Sequence, residues 1–315
     1  MSAHFTLIFN LADSLSGSET EFSGIPLIDF LRLRVTPSDA LRLPELFAGG
    51  YISVDDAVVS ADFTLGYADR ICVCLPGHQE EEVDTRWRLL WQNSELMAVY
   101  KPHLLPVSRT TRNLYNTLIS LVKRQTPYAD ARLLHRLDTE TAGVILLAKN
   151  AQADRRWKPR LDQLICKKIY HAWVEGVPLW MSERMECDLA ERADSVIRSQ
   201  VYVVDDADSG LYIKPRQSKT EFRVLHSAAG KTLLECRLYT GRKHQIRAQL
   251  SYLGHPVVGD KIYGHEGRFY LKRIEQGLDD ADFQVLGSRY HRLEAVELEL
   301  DIEGLAVQIV LPVQR

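Results

Sequence analysis

Apolar residues recur along this chain at two spacings, three to four residues and two, and the switches between them mark its elements. From Gly24, "GIPLIDFLRLRV" sets Ile25, Ile28, Leu31 and Val35 at helical intervals. "SDALRLPELFAGG" predicts a second short helix, capped by Ser38 and ended by Gly49-Gly50. "YISVDDAVV" then alternates about Asp55-Asp56 as a hairpin, and "LGYADRICVCL" adds a closing strand. Residues 1–22 show no clear period and read as a strand or a loose extension. The polar run "GHQEEEVDTRW", around 77–87, reads as a linker.

Beyond it, "RLLWQNSELMAVYKPHLLPV" predicts two strands turning at Asn93-Ser94, and "NLYNTLISLVKRQ" an amphipathic helix. A helix over roughly 151–165 leads into "CKKIYHAWVEG", a strand by its Ile, Tyr, Trp and Val. Residues 177–213 are acidic and strand-like only in patches, which suggests a peripheral excursion. A hairpin through "SAAGK" follows, then a Thr-Gly turn and a helix from His244 to Leu253. "YHRLEAVELEL" and "GLAVQIVLP" form a terminal pair that closes the sheet. Strands outnumber helices and hairpins outnumber strand-helix-strand units. The expected class is α+β, a mainly antiparallel mixed sheet with flanking helices plus a small N-terminal α/β unit.

Length and composition permit this: 315 residues, 45% hydrophobic and 26% charged, are enough for two domains. No stretch approaches the roughly 18 apolar residues of a membrane helix, and no basic region precedes the short apolar run near Met1. A cytoplasmic protein without membrane contact, monomeric by default, is expected. The five cysteines are odd in number and include no Cys-x-x-Cys pair, which suggests neither a disulfide framework nor zinc. Cys72 and Cys74 would share one strand face as small core residues.

Charge changes the picture. The net value of −3 argues against a general polyanion binder, yet its distribution is uneven. Residues 1–100 carry six basic side chains against fifteen acidic ones, whereas 101–173 carry fourteen against five and 214–247 nine against two. If the two basic blocks meet in space, they make a positive cleft inside an acidic molecule, suited to selective polyanion binding.

The first basic block holds "LLHRLDTETAGVILLAKN", with Asp138 between His-Arg-Leu and Thr-Glu-Thr-Ala-Gly. A buried lone carboxylate either pairs with a cation or performs chemistry. Its candidate partners, Arg242 and Arg247 of "YTGRKHQIR", lie in the second block, and an Arg partner would keep the carboxylate ionised. Alternatively Asp138 caps a turn beside Thr139 and Thr141. Gly-x-Ser-x-Gly, Walker, Gly-x-Gly-x-x-Gly and His-Glu-x-x-His signatures are all missing from the sequence. His135 and His244 are not expected to hold a metal, and no cofactor is expected.

Three separated stretches resemble the RluA-type pseudouridine synthases: "HRLDTETAGVILLAKN", "KKIYHAWVEG" and "LYTGRKHQIRAQLSYLGHPVVGDKIYG". "MAVYKPHLLPV" and "YHRLEAVEL" are weaker matches, and the likeness spans roughly 88–312. It implies isomerisation of uridine to pseudouridine in RNA, ribosomal RNA before transfer RNA. It also implies that Asp138 is the catalytic aspartate, a nucleophile at the anomeric carbon or a base at its neighbour. Arg247 matches its arginine partner, and Tyr170 the tyrosine that stacks on the target base and takes a proton from its ring carbon. Arg136 matches an arginine that fills the space left by the flipped base. His135, Lys101, Arg242, Lys243 and His244 would then line the RNA path. Ala142 stands where the family usually has Ser, and Lys243 where Thr is commoner; neither removes a reacting group. Residues 1–80, through "GGYISVDDAVV" and "GYADRICVCL", resemble a degenerate alpha-L RNA-binding domain that lacks much of the positive charge phosphate contact needs, with 81–315 as the catalytic domain.

Overall fold

A computed structural model describes residues 5–11, 23–110, 112–205 and 210–312. The chain starts in β1 (Phe5–Asn10). Pro26, whose fixed φ suits a helix entry, precedes α1 (Leu27–Arg34), and Thr36 caps α2 (Pro37–Ala48) by accepting the Asp39 N–H. Thr36 rather than Ser38 is the cap because Pro37 fits the first helical position. Next come β2 (Ile52–Val54), β3 (Ala57–Val58) and β4 (Arg70–Leu75). Asp55 and Asp56 both take positive φ, as a two-residue hairpin turn demands. These strands form a four-stranded sheet in the order β1-β4-β2-β3. The second half of the predicted strand-or-extension, 12–22, lies outside the described residues.

Ile71, Val73 and Leu75 turn into the core of this unit, so Cys72 and Cys74 share the opposite face. They are half-buried there, which corrects their expected place in the core. The linker does not hang free. The Glu80 carboxylate accepts the N–H groups of Leu114, Tyr115 and Asn116 at 2.9, 2.7 and 2.8 Å. Tyr115 in turn inserts into the N-terminal core, where its hydroxyl donates to Asp39 and accepts the Thr36 N–H.

The remaining elements are β5 (Arg88–Gln92), β6 (Leu96–Lys101), α3 (Leu118–Gln125), β7 (Arg132–Leu133), β8 (Ala142–Ala148), α4 (Ala151–Trp157), α5 (Leu161–Leu164) and β9 (Ile165–Glu175). They continue with β10 (Ser182–Arg192), β11 (Tyr202–Val203), β12 (Tyr212–Ala228), β13 (Lys231–Leu238) and α6 (Gln245–Tyr252). Two helices without a sequence forecast follow, α7 (Arg268–Glu275) and α8 (Asp280–Leu286), and then β14 (Leu293–Ile302) and β15 (Leu305–Val310).

One eleven-stranded sheet runs β11-β10-β12-β13-β9-β14-β8-β6-β5, with β15 on β14 and β7 on β8. The class is α+β and the sheet is antiparallel except where β14 lies parallel to β8. Two expectations need correction. The terminal hairpin does not close an edge: β14 is inserted at the centre, between β9 and β8. Its alternating apolar residues, Leu293, Ala295, Leu298 and Leu300, are all buried, as a central strand requires. Nor is 177–213 strand-like only in patches: it does lie at the sheet's edge, as β11-β10, but β10 runs for eleven residues paired with β12, and Ile197 and Val201 pack behind α6.

Candidate active site

β8 is buried at all seven positions, so the turn that feeds it is fixed from behind. Gly143 sits at φ +115° where β14 comes closest; a Cβ there would stand 2.2 Å from the Ala295 carbonyl oxygen. Thr141 N–H donates to the Asp138 carbonyl at 3.1 Å and closes the turn that carries the carboxylate. Lys101, at the end of β6, is fully buried and donates to the carbonyls of Pro102, Leu105 and Thr139 at 2.9–3.0 Å. Burial pushes its ammonium down to about 7 against the pull of Asp138 and Glu140. Lys101 therefore supports the turn from inside and does not line an RNA path, as its sequence position had suggested. His135, in contrast, does line the cleft, with its Nε2 taken up in accepting the Leu146 N–H at 3.0 Å and its imidazole lowered to about 3 by burial.

Across from this turn, α6 presents Arg247, only 6% exposed. Its guanidinium bridges two carboxylates. Nη1 donates to Asp138 Oδ2 at 2.8 Å, while Nε and Nη2 hold both oxygens of the wholly buried Asp260 at 2.6 and 3.0 Å. Asp260 also accepts the Ile262 and Tyr263 N–H groups, so its geometry is set by the backbone. The arrangement aims the third donor at Asp138. This is a use of the planar fork that a point-like ammonium cannot reproduce.

Asp138 is one-quarter exposed, open to the cleft on one side only. Burial would raise its carboxyl, but His244, Arg247 and His291 outweigh it and bring the value to about 2. His244 is itself pushed to about 4 by burial and by Arg247, so at pH 7 it is neutral and Arg247 supplies the charge that matters. Asp138 is consequently an ionised carboxylate at neutral pH with one oxygen tied to Arg247. The alternative reading, a turn cap, fails on this point: the backbone makes the turn and the side chain faces away.

Tyr170, on β9, lines the same cleft, 9% exposed. Burial and the Asp138 charge hold its phenol well above the ordinary range, so it keeps its proton. Lys168 precedes it by two residues on the same strand face and lines the cleft as well. Arg136, Arg242 and Lys243 stand exposed at the rim; Arg242 Nε donates to the Gln217 carbonyl and Lys243 pairs with Glu191 at 2.6 Å. The cleft measures about 660 Å³ and draws its walls from both basic blocks, which thus meet.

Sequence reasoning missed Lys168, Asp260 and Tyr263. Lys168 could have been found from its two-residue spacing to Tyr170. Asp260 could have been found by the argument applied to Asp138, since it too is a single carboxylate among apolar neighbours in "HPVVGDKIYG".

Known proteins place this geometry. A family described as RNA pseudouridylate synthase matches residues 95–252, which takes in Asp138, Tyr170 and Arg247. An uncharacterised RNA pseudouridine synthase of Synechocystis sp. is 32% identical over 76% of this chain and 80% of its own length. The ribosomal large subunit pseudouridine synthase D of Nitrosomonas europaea is 31% identical over 59% of this chain, which spans 52% of that protein. Among solved structures, human RNA pseudouridylate synthase domain containing 1 covers 74% of the chain and is itself covered for 86%, with a TM-score of 0.56 at 20% identity, a likeness of fold. A buried guanidinium holding an ionised aspartate in a basic cleft is thus found on the family's fold and within the matched segment, and the chain belongs to the RNA pseudouridylate synthases, enzymes that isomerise uridine to pseudouridine.

Proposed function

We propose that this enzyme acts on uridines of ribosomal RNA, with Asp138, Arg247 and Tyr170 as the reacting set. The observation that carries the reading is the Asp138 carboxylate, ionised and oriented by Arg247 at 2.8 Å on the floor of the cleft. An ionised carboxylate can attack the anomeric carbon of the ribose or remove the proton from the neighbouring carbon; both need it deprotonated and fixed. Arg247 supplies both conditions. Tyr170, as a protonated phenol, is suited to stack on the freed uracil, and its raised pKa favours that role over proton acceptance.

A uridine inside a helix must leave its stack to reach Asp138, which costs a few kcal/mol. Arg136, at the rim beside the aspartate, is placed to fill the vacated space with a planar cation, and Arg242, Lys243 and Lys168 supply phosphate contacts. Relatives from Nitrosomonas europaea, Xylella fastidiosa and Zymomonas mobilis named for the ribosomal large subunit support ribosomal over transfer RNA. Carbodiimide labelling and reverse transcription would test this in cells carrying either the intact gene or Asp138→Ala. A ribosomal RNA stop lost in the mutant supports the reading; loss confined to transfer RNA would move the target there.

A further inference from the structure

His244 enters α6 in the left-handed region, at φ 54°, a conformation that a bulky side chain keeps only where its surroundings impose it. Its ring is 11% exposed and meets the Tyr263 ring edge-on, with centroids 5.7 Å apart. Two contacts fix where its proton sits. The Val201 N–H donates to the Tyr263 hydroxyl at 2.9 Å, and that hydroxyl lies 3.1 Å from His244 Nδ1. The hydroxyl has a single proton, and burial raises the phenol so that it keeps it.

Suppose Nδ1 carried the imidazole proton. It would then donate to a hydroxyl already accepting from Val201, and the hydroxyl proton would have no acceptor in a buried site. With Tyr263 donating to Nδ1, every group is satisfied. The neutral imidazole must then carry its proton on Nε2. That atom lies 3.8 Å from Asp138 Oδ2, beyond hydrogen-bond reach, in the wall of the cleft.

We propose that His244 is a fixed-tautomer hydrogen-bond donor, presenting Nε2–H to a ribose oxygen of the target nucleotide beside Asp138, with Tyr263 as the positioning residue that sets the tautomer. The inference deepens the reading of the cleft as the isomerisation site and rests on it. A neutral donor steadies the sugar without neutralising the aspartate or competing with Arg247 for it. It also gives the 177–213 excursion a task. Ile197 and Val201 pack with Ala248, Ile262 and Tyr263 in a small apolar cluster, and Val201 supplies the first hydrogen bond of the series.

The test has two arms. In protein labelled with ¹⁵N at histidine, long-range proton–nitrogen spectra at pH 7 should show His244 protonated at Nε2 alone, and Tyr263→Phe should give a mixture of tautomers. A ring protonated at Nδ1, or at both nitrogens, overturns the proposal. In single-turnover assays on substrate RNA, His244→Gln retains an N–H near the Nε2 position and should exceed His244→Leu by on the order of tenfold, with similar RNA affinity. Equal rates for the two variants would rule out the donor role. The spectra need no substrate, so a wild-type rate in Asp138→Ala would sink the reading of the cleft while leaving the tautomer result intact.

Discussion

Replacing Arg247 by Lys keeps one positive charge and removes the fork. In the native protein the guanidinium makes three bonds, two to Asp260 and one to Asp138. A single ammonium settles on the wholly buried Asp260, whose two oxygens make it the more demanding partner, and Asp138 loses its donor. A hydrogen bond to a charged group is worth roughly 1.5–3 kcal/mol, which corresponds to a rate loss of roughly 10- to 150-fold if that bond orients the reacting carboxylate. Burial, no longer opposed at contact distance, then lifts the Asp138 carboxyl from about 2, and an acid limb should appear in the rate profile as pH falls below neutrality. Stability should fall by about 2 kcal/mol because Asp260 trades two geometrically matched bonds for one, while its bonds from Ile262 and Tyr263 persist. Tritium release from RNA carrying 5-tritiated uridine measures the rate, and urea denaturation the stability. A rate within twofold of wild type at pH 7, with no acid limb, would refute the claim that the fork sets the state of Asp138.

Three further outcomes are expected. His103, His135, His244 and His291 are all held neutral by burial, with values below the unfolded 6.5. The unfolded chain therefore binds more protons below that pH, and stability should decline from about pH 6.5 towards 4 by up to about 1.4 kcal/mol per pH unit for each histidine; a flat denaturation midpoint over that range would contradict this. The depressed Asp138 and Asp260 carboxyls keep their contribution through the same interval and lose it only as pH falls below about 4. Gly143→Ala forces a Cβ against the Ala295 backbone and should cost more than about 3 kcal/mol or leave the protein insoluble, whereas a normal melting curve would show that β14 can give way. Lys101→Met should lower the melting temperature and leave the salt dependence of RNA binding unchanged, while Arg242→Ala should reduce that salt slope by about 1; the reverse pattern would restore Lys101 to the RNA path.

Local signals in the sequence were strong enough to place most elements. The Asp55-Asp56 turn, the "SAAGK" hairpin and the β9 strand follow from patterns confined to a dozen residues or fewer, and they stand where those patterns put them. What escaped depends on distant pairing. Nothing in "YHRLEAVELEL" distinguishes a central strand from an edge, because its insertion between β9 and β8 is decided by residues more than a hundred positions away. α7, an amphipathic helix, and α8, opened by the Asp279–Asp282 capping box and closed by Gly287, do carry local helix signals, but each spans only about two turns in a polar stretch. At the site, the Asp138–Arg247 pair was legible from charge logic and from the three motifs together. The depth of Lys101 was not, since a lysine at a strand end reads as exposed until three carbonyls are seen to converge on it.

The most direct test of the whole account is turnover by purified protein on protein-free ribosomal RNA, with pseudouridine counted by nucleoside chromatography, for the wild type and for Asp138→Ala. The account predicts pseudouridine at defined uridines with the wild type, and none with the mutant despite retained, salt-sensitive RNA binding. Equal pseudouridine from both proteins would contradict it.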